Sequence, residues 1–492
     1  MKTLLLFLAG LVSFVSFAQD GILDTSFGID GVVITDLEND QDFGSAIVEQ
    51  ADQKLVVAGS TNIGGDFFPL LLRYMPNGTL DTTFGTDGKV IATFLENSSG
   101  FGFLLLTDDQ KLLSAINTFE GGTETFIITR YSDTGILDST FGINGIVSIP
   151  DIVVSKMMLL ADGSILLFSK TSSEVTFTHY FADGSLDLNF GIDGYATSSF
   201  SGGFFSTRGL KRDSQNNLYI LATRDNNASS DVILMKFLPN GYFDTAFGID
   251  GVVIKTFTAQ NQFDNISAGF DITNDEKVVI AGSYGGCIDI GEPALQTYFL
   301  RYLNNGMPDN SFGNNGTVLN PVSSFHISQL IVQDNQRLLV SGSIPDCFEA
   351  SWAISKRYFS GGTVDSSFSS LPLEMFNAET ILQADGKIVT LGYSYWFNGP
   401  EDIMLARFNN NPLSVSEFET NKLIIYPNPS NGIFTIEREF SEMDNYQITD
   451  ITGKIIANGE LNDTQSQIDL SAAQTGVYFL KTANSVFRLL KN

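Results

Sequence analysis

Gly21-Ile22-Leu23-Asp24-Thr25-Ser26-Phe27-Gly28-Ile29-Asp30-Gly31 is the first copy of an eleven-residue motif that returns until about residue 370. Each copy has an Asp three residues after its first Gly, and every copy except the last contains Phe-Gly. The later copies begin at Gly78, Gly135, Gly184, Gly241, Gly306 and Gly362, at steps of 57, 57, 49, 57, 65 and 56 residues. A period of this length indicates a propeller, a solenoid or another array, because one unit cannot bury its apolar faces without neighbours.

Short runs rich in β-branched and aromatic residues fill the space between one motif and the next. In the first unit they are Val32–Thr35, Gly44–Val48, Lys54–Ser60 and Leu70–Tyr74. Such runs, separated by turns rich in Gly, Asp and Asn, are typical of β-strands. The pattern predicts that these four runs form one four-stranded sheet.

The last run of each unit ends in a basic residue followed by an aromatic one. These pairs are Arg73-Tyr74, Arg130-Tyr131, His179-Tyr180, Lys236-Phe237, Arg301-Tyr302, Arg357-Tyr358 and Arg407-Phe408. In the first six units the motif Asp lies eight residues further on, which pairs Arg73 with Asp81, Arg130 with Asp138 and Arg301 with Asp309. We expect each to be an exposed ion pair that stabilises the fold by about 0–1 kcal/mol.

The two ends of the repeat region complement each other. Arg407 has no motif after it, and the motif at Gly21 has no strand before it. Joining the ends completes a seventh unit, which a ring needs and an open solenoid does not. The sequence therefore predicts an all-β chain with a seven-bladed β-propeller over residues 20–411, built from repeats of about 57 residues, in which Arg407 pairs with Asp24.

The Leu-Asp-x-x-Phe-Gly signature gives the chain its first family resemblance. The repeat resembles the delta-60 type of bacterial β-propeller repeat, and the likeness extends over all seven units. The resemblance implies a propeller fold and brings no activity, cofactor or catalytic residue with it.

Composition and the N-terminus limit the function classes. A formal net charge of -29 and a pI near 4.2 argue against a nucleic-acid partner, whose phosphates require a basic face. Lys2, the apolar run Leu4–Val15 and Ser16-Phe17-Ala18 predict a secretory signal peptide at residues 1–18. No later apolar stretch reaches 18 residues, so no transmembrane span is expected.

The period stops after Asn411, and a linker at 412–421 leads into a different segment, 422–492. Alternating strands and Gly turns there predict a small Ig-like β-sandwich. Its motifs are Tyr426-Pro427-Asn428-Pro429, Gly432, Asp450, Gly453-Lys454, Gly476-Val477-Tyr478 and Lys491.

These motifs resemble, in order, those of the type A C-terminal sorting domain of the type IX secretion system of Bacteroidetes. The resemblance implies export through the periplasm, with the type IX secretion machinery as a partner. It also implies a secreted protein or one attached to the outer-membrane surface.

No pattern of catalytic or metal-binding residues stands out. The sequence has no Ser-His-Asp arrangement, phosphate loop or metal-ligand spacing, so no catalytic residue, metal or cofactor is assigned. The repeated Asp residues could form a ring of metal ligands, but an Asp in a turn usually bonds nearby backbone amides, and we favour that interpretation. Paired acidic residues with a catalytic role stay open, because sequence carries no distances.

Cys287 and Cys347 occupy the same loop in adjacent units, five residues after Gly282 and Gly342. An exported protein can form a disulfide between them, but a bridge requires Cα atoms within about 7 Å. Both the bridged and the unbridged state stay open.

Aromatic residues mark the loop between the third and fourth runs of two units. They are Phe67 and Phe68 in the first unit and Tyr393, Tyr395 and Trp396 in the last. Exposed, they would suit sugar stacking or protein docking; alternatively they pack over sheet edges. The leading hypothesis is a non-catalytic binding or adhesion module for a glycan or a protein. The alternative is an extracellular hydrolase or lyase acting on polysaccharide, with acidic residues in the central channel.

Overall fold

The structure, a computed structural model, divides the chain into two compact units. The first contains the chain up to Pro412 apart from Phe359–Gly361, and the second contains Phe359–Gly361 and Leu413–Asn492. The residues described are 20–37, 41–94, 100–120, 122–200, 203, 205–225, 229–258, 267–284, 296–320, 325–345, 351–368, 370, 372–394, 401–410, 424–437, 444–450, 453–461, 463, 465–482 and 486–492. Within these ranges all regular secondary structure elements are β-strands, and no helix that could span a membrane is found. The predicted signal peptide and linker lie outside them.

The described strands of the first unit form seven antiparallel sheets, called sheets 1 to 7. β1 (Val32–Thr35) belongs to sheet 7. The other strands follow in chain order: β2 (Asp42–Glu49), β3 (Leu55–Ile63), β4 (Asp66–Tyr74) and β5 (Lys89–Ile91) in sheet 1; β6 (Phe103–Leu106), β7 (Leu112–Glu120), β8 (Thr123–Tyr131) and β9 (Ile146–Pro150) in sheet 2; β10 (Val154–Leu159), β11 (Ile165–Lys170), β12 (Glu174–Tyr180) and β13 (Tyr195–Ser199) in sheet 3; β14 (Ser206–Arg212), β15 (Leu218–Asp225), β16 (Ser229–Phe237) and β17 (Val252–Thr258) in sheet 4; β18 (Ser267–Ile272), β19 (Val278–Tyr284), β20 (Gln296–Tyr302) and β21 (Thr317–Asn320) in sheet 5; β22 (His326–Val332), β23 (Leu338–Pro345) and β24 (Ser351–Tyr358) in sheet 6; β25 (Phe376–Leu382), β26 (Ile388–Tyr393) and β27 (Ile403–Phe408) in sheet 7.

The first strand of the chain closes the last sheet. β1 pairs with β27 in antiparallel register, from Val32 opposite Ala406 to Thr35 opposite Ile403. The prediction that Val32–Thr35 shares a sheet with the next three runs is therefore wrong, since sheet 1 contains β2 to β5. The motif is a reversal within one sheet, so the strand after a motif pairs with the strand before it.

The seven sheets follow one another around a closed cycle. Among the described strands, the first strand of each sheet contacts the first strand of the next, from β2 through β6, β10, β14, β18 and β22 to β25, and β25 contacts β2. Apolar clusters fill the space between neighbouring sheets. Val56 packs in a cluster with Leu112 of sheet 2, whereas Val57 packs in one with Leu391 of sheet 7. Successive residues of a strand point to opposite faces, so a strand covered on both faces reads as a continuous apolar run.

The second unit contains two sheets around one apolar cluster. Its described strands are β28 (Ile424–Tyr426), β29 (Ile433–Glu437), β30 (Asp444–Asp450), β31 (Ile455–Leu461), β32 (Gln465–Asp469), β33 (Gly476–Lys481) and β34 (Val486–Lys491). They form a sheet in the order β28-β29-β32 and another in the order β31-β30-β33-β34. Phe434 and Ile468 of the first sheet share a cluster with Ile448, Leu480 and Leu489 of the second, so the two sheets bury each other's apolar face.

The glycine of each Phe-Gly pair occupies a position that excludes a side chain. Gly142 has φ +53°, and a Cβ placed on it would lie 2.3 Å from the carbonyl oxygen of Ile146. Both the left-handed backbone and this close approach explain the repeated glycine.

We expect Gly142→Ala to lower the free energy of unfolding by about 1–3 kcal/mol, because the new methyl group forces the turn apart. Urea denaturation of the two proteins measures the difference. Gly102→Ala is the matched control, since its φ lies outside the left-handed region and nothing lies within 4 Å of the added Cβ. Equal effects of the two substitutions would contradict this account of the turn.

Candidate functional site

The basic residue that ends the third strand of each sheet lies against the motif Asp. The distances to an Asp carboxylate oxygen are 2.8 Å for Arg73 Nε and Asp81, 2.9 Å for Arg130 Nε and Asp138, 2.8 Å for Arg301 Nε and Asp309, 2.6 Å for Arg357 Nε and Asp365, and 2.9 Å for Arg407 Nε and Asp24. Lys236 and His179 occupy the same position, 3.2 Å and 3.0 Å from Asp244 and Asp187. Arg407 and Asp24 are separated by most of the chain, so their contact joins its two ends.

Each motif Asp also stabilises its own turn. Asp24 Oδ1 accepts hydrogen bonds from the Ser26 amide at 3.1 Å and the Ser26 hydroxyl at 2.6 Å. The Arg407 guanidinium carbon lies 4.5 Å from the centroid of the Phe27 ring of the same motif. Four other units repeat this stacking at 4.4 to 5.1 Å, with the pairs Arg73/Phe84, Arg130/Phe141, Arg301/Phe312 and Arg357/Phe368.

The cation also reaches the neighbouring sheet. Arg407 Nη1 donates to the Pro76 carbonyl of sheet 1 at 2.5 Å, and Lys236 Nζ donates to the Asn304 carbonyl of sheet 5 at 3.1 Å. Arg407 is 5% exposed and Asp24 7% exposed. The expectation of exposed pairs is therefore wrong, because the motif Phe and the next turn cover them. Loss of one partner of a buried pair costs far more than loss of a surface pair.

The pairing shifts the acid strength of the motif residues. Burial alone would raise the pKa of Asp24, but the Ser26 hydrogen bonds and the Arg407 charge outweigh it and lower the pKa to about 2. The pKa values of Asp81 and Asp309 are also lowered to about 2: burial opposes the shift, and the hydrogen bonds and cations of their turns outweigh it. These carboxylates already have partners, so they are poor candidates for a ring of metal ligands.

Three of the aromatic residues singled out from the sequence lie on strands rather than in a loop. Phe67 and Phe68 belong to β4, because the β3–β4 hairpin continues to a two-residue turn at Gly64-Gly65, and Tyr393 is the last residue of β26. All three side chains are half-buried. Four other residues named from the sequence, Tyr395, Trp396, Cys287 and Cys347, lie outside the described residues, and the pairing of the two cysteines stays a prediction.

Two further aromatics join Phe67 and Tyr393 where sheets 1 and 7 meet. Phe43 of β2 lies 6.0 Å from Phe67 and 4.9 Å from Tyr393, centroid to centroid, and Phe376 of β25 stacks on Tyr393 at 5.7 Å. We call Phe43, Phe67, Phe376 and Tyr393 the closure aromatics. All four are half-buried and present part of their ring surface. The sequence did not indicate Phe43 or Phe376, because each stands singly at the start of a strand.

Three carboxylates gather beside the closure aromatics. Asp36 follows β1, Asp42 is the first residue of β2, and Asp402 directly precedes β27. One oxygen of each lies within 4.8 Å of those of the other two, and within the described residues this is the one such acidic group found. We call these residues the closure carboxylates. They escaped sequence analysis because Asp402 is more than 350 residues from the other two.

Asp42 is fully buried and incompletely bonded. Its Oδ2 accepts from the Leu37 amide at 2.7 Å, whereas Asp42 Oδ1 and Asp402 Oδ1 are buried atoms with no hydrogen-bond partner within the described part of the chain. Burial raises the pKa of Asp42 to about 6 against the effect of the Thr61 hydroxyl and the Leu37 amide, and the charges of Asp402 and Asp36 raise it further. Burial also raises the pKa of Asp402, together with the charges of Asp36 and Glu401.

The first strands of the sheets carry further acidic residues, and each bonds to a neighbour. Glu49 accepts from the Ala384 amide at 2.7 Å, and Asp271 accepts from the Val332 amide at 2.9 Å. Glu379 accepts from the Ile47 amide at 3.1 Å. Burial raises the pKa of Glu379 to about 7, against the effects of the Ile47 amide and the Lys156 charge.

The motif residues of the second unit hold its turns. Asn428 donates to the Arg488 carbonyl at 2.7 Å and accepts from the Leu490 amide at 2.8 Å. Asp450 Oδ1 accepts from the Lys454 amide at 3.1 Å, across a turn in which Gly453 has φ +84°. The peptide bonds before Pro427 and Pro429 are cis, and Gly432 has φ +131°. Gly476 is the first residue of β33, and the buried Tyr478 donates its hydroxyl to the Gln474 carbonyl. Lys491 Nζ donates to the Ala473 carbonyl.

Comparison with known families agrees with both parts of the chain. Residues 424–491 match the secretion system C-terminal sorting domain family. Residues 50–84 and 383–411 match a β-propeller family described as a domain of unknown function. The chain is a β-propeller protein with a type IX secretion sorting domain. It is therefore exported by that system to the cell surface or the medium.

Three solved structures match much of the chain at low sequence identity. The polysaccharide lyase Uly1 has 12% identity and a TM-score of 0.49 over 80% of this chain and 97% of its own. A catalytically inactive virginiamycin B lyase from Staphylococcus aureus has 11% identity and a TM-score of 0.42 over 76% of this chain and 98% of its own. A Dyadobacter fermentans protein of unknown function has 11% identity and a TM-score of 0.39 over 78% of this chain and 100% of its own. These values transfer no activity to this chain. No curated protein sequence matches it.

The low pKa values of the motif carboxylates predict acid sensitivity. Asp24, Asp81 and Asp309 have pKa values of about 2 in the folded protein against an ordinary value of 3.8. Between these values the unfolded chain binds more protons, so the stabilisation is fully present above about pH 4 and is lost as the pH falls toward 2. Asp24→Asn should lower the free energy of unfolding at pH 7 by about 3 kcal/mol, because Arg407 loses its counter-ion. The same substitution should also make the free energy of unfolding depend less steeply on pH below pH 4.

Urea denaturation at a series of pH values measures both effects. Asp108→Asn, at an exposed residue of a turn, is the control and should follow the unsubstituted protein. If the free energy of unfolding of Asp24→Asn falls as steeply as that of the unsubstituted protein between pH 4 and 2, the pair of Asp24 and Arg407 does not cause the acid sensitivity.

Proposed function

We propose that the exported protein is a seven-bladed β-propeller that binds a carbohydrate outside the cell without transforming it. The proposal takes residues 20–411 as the propeller, 412–421 as a linker and 422–492 as an Ig-like sorting domain. Seven described sheets, the cycle of contacts among their first strands and the pairing of β1 with β27 support the propeller part.

The observation that carries the binding role is the gathering of the closure aromatics. Four half-buried rings from two sheets lie within 6.0 Å of a neighbouring ring. Ring surfaces held by strands are rigid, so little conformational entropy is lost when a ligand covers them. A sugar presents apolar C–H faces that such rings can cover, while its hydroxyl groups stay available for water and nearby polar groups.

The bonding of the first-strand acids supports a role without catalysis. Glu49, Asp271 and Glu379 each accept a backbone amide of a neighbouring first strand or its turn. A glycoside hydrolase instead directs two carboxyl groups at one bond. These three acids of the first strands are thus occupied in holding neighbouring sheets together.

The alternative is an extracellular hydrolase or lyase acting on polysaccharide, and one observation favours it. Glu379 and Lys156 influence each other's ionisation, and burial lowers the pKa of Lys156 while it raises that of Glu379 to about 7. Shifted pairs of this kind occur at catalytic sites as well as in structural networks.

A glycan array, followed by assays of any bound polysaccharide for new reducing ends and unsaturated products, tests the proposal. We expect binding without product, and about tenfold weaker binding for Phe67→Ala and for Tyr393→Ala, since each removes part of the contact surface. Phe119→Ala is the matched control, because Phe119 is 71% exposed on the corresponding hairpin of sheet 2. Product that disappears in Glu379→Gln would favour the enzyme, and an array without any bound glycan would exclude the carbohydrate role.

The sorting domain predicts where a truncated chain stops. A chain ending at residue 421 should fold its propeller and accumulate in the periplasm. It still begins with the signal peptide that directs export across the inner membrane, but it lacks the sorting domain that the secretion machinery recognises at the outer membrane. Cell fractionation with an antibody to the propeller measures this, and residues 422–492 fused to a periplasmic reporter should carry that reporter out. A truncated chain found at the cell surface would contradict the assignment.

A further inference from the structure

Three carboxylates come together where the chain closes its ring of sheets, those of Asp36, Asp42 and Asp402. We propose that Asp36, Asp42 and Asp402 bind a divalent cation, with calcium preferred, and that the bound ion fastens the closure between sheets 7 and 1. The inference is independent of the carbohydrate role, since it uses other residues and a different consequence.

The geometry of the three oxygens fits calcium. Calcium binds carboxylate and carbonyl oxygens at about 2.3–2.6 Å, so two ligand oxygens lie at most about 5 Å apart across the ion. One carboxylate oxygen from each of Asp36, Asp42 and Asp402 lies within 4.8 Å of those of the other two. Three carboxylates supply three to six of the six to eight oxygens that calcium takes, and water completes such sites.

The buried atoms of Asp42 and Asp402 indicate that a ligand is missing. Asp42 has no exposed surface, yet its Oδ1 has no hydrogen-bond partner among the described residues, and the same is true of Asp402 Oδ1. Buried polar atoms in folded proteins are almost always partnered, and an unpaired buried charge is strongly unfavourable. A cation in contact with both residues would satisfy both oxygens at once.

Five of the motif acids show what Asp42 and Asp402 lack. Asp24, Asp81, Asp138, Asp309 and Asp365 each lie within 3.3 Å of two cationic side chains. No Lys or Arg of the described residues forms an ion pair with Asp42 or Asp402. The chain therefore supplies a counter-ion to each of those motif acids and leaves Asp42 and Asp402 for an ion from solution.

The three residues also explain what the ion would do. Asp36 follows the strand that closes sheet 7, Asp402 precedes the partner of that strand, and Asp42 begins the first strand of sheet 1. An ion bound to all three would hold β1, β27 and β2 together. The affinities of extracellular calcium modules, with Kd about 10⁻⁴–10⁻³ M, suit an exported protein.

Isothermal titration with calcium of the purified chain without residues 1–18, dialysed against a chelator, tests the proposal at pH 7.5. We expect one site with Kd of about 10⁻⁴–10⁻³ M, at least tenfold weaker binding of magnesium, and a Tm that rises with calcium concentration. Asp402→Asn should weaken calcium binding at least tenfold, and Asp36→Asn provides a second variant. The exposed Asp108→Asn is the control and should bind as the unsubstituted protein does.

Hydrogen exchange distinguishes fastening of the closure from general stabilisation. Calcium should slow exchange of amides in β1 and β27 more than in β15 and β16 on another side of the ring. Circular dichroism establishes that each variant is folded before its binding is interpreted. The proposal is overturned if no calcium binds up to 10 mM. It is also overturned if Asp402→Asn and Asp36→Asn bind calcium as tightly as the unsubstituted protein does.

Discussion

The ring of sheets depends on one repeated interaction, in which a basic side chain is held between the motif turn of its own sheet and the turn of the next sheet. Burying an Arg is unfavourable unless its donors find partners. Arg357 shows how completely this is met: its side chain is fully buried and donates to Asp365, Asn410, Asp20 and Ser367. The same group therefore stabilises a turn, covers an aromatic ring and ties adjacent units, so that each sheet is positioned by its neighbour as well as by its own strands.

The features that repeat were the ones that sequence could predict. Seven motifs, the strands between them and the eight-residue spacing from cation to Asp are local patterns. The structure also places Arg407 beside Asp24, as the complementary ends of the repeat region predict. The incorrect expectations were topological and environmental. Whether Val32–Thr35 pairs with the strand after it or with β27 depends on the direction in which the motif turns the chain. Whether a pair is buried depends on a neighbouring unit that local sequence does not specify.

The closure site could not be predicted in the same way, because it is made once. Asp42 and Phe43 look like an ordinary strand start, and Asp402 looks like an ordinary turn residue. Only the pairing of β1 with β27 and the contact of β2 with β25 bring them together with Tyr393. A repeat pattern highlights positions shared by all units, whereas this site depends on positions that differ. Its sequence signals were the aromatic residues Phe67-Phe68 and Tyr393, which indicated where units diverge and not which residues meet.

The closure also differs physically from the other junctions between sheets. The chain passes from sheet 7 to sheet 1 at Asp36–Asp42, and short-range bonds hold this crossing: the Asp42 amide donates to the Glu401 carbonyl at 2.7 Å, and Gln41 donates to the Glu401 carboxylate at 2.6 Å. β1 is four residues long, as is the outer strand β21, and the outer strand β5 has three residues, so strand length does not set the closure apart. Its side chains do, because the three carboxylates of Asp36, Asp42 and Asp402 come together there and repel one another. The proposed calcium ion would offset that repulsion and so would make the point where the chain closes its cycle of sheets chemically distinct from the other junctions.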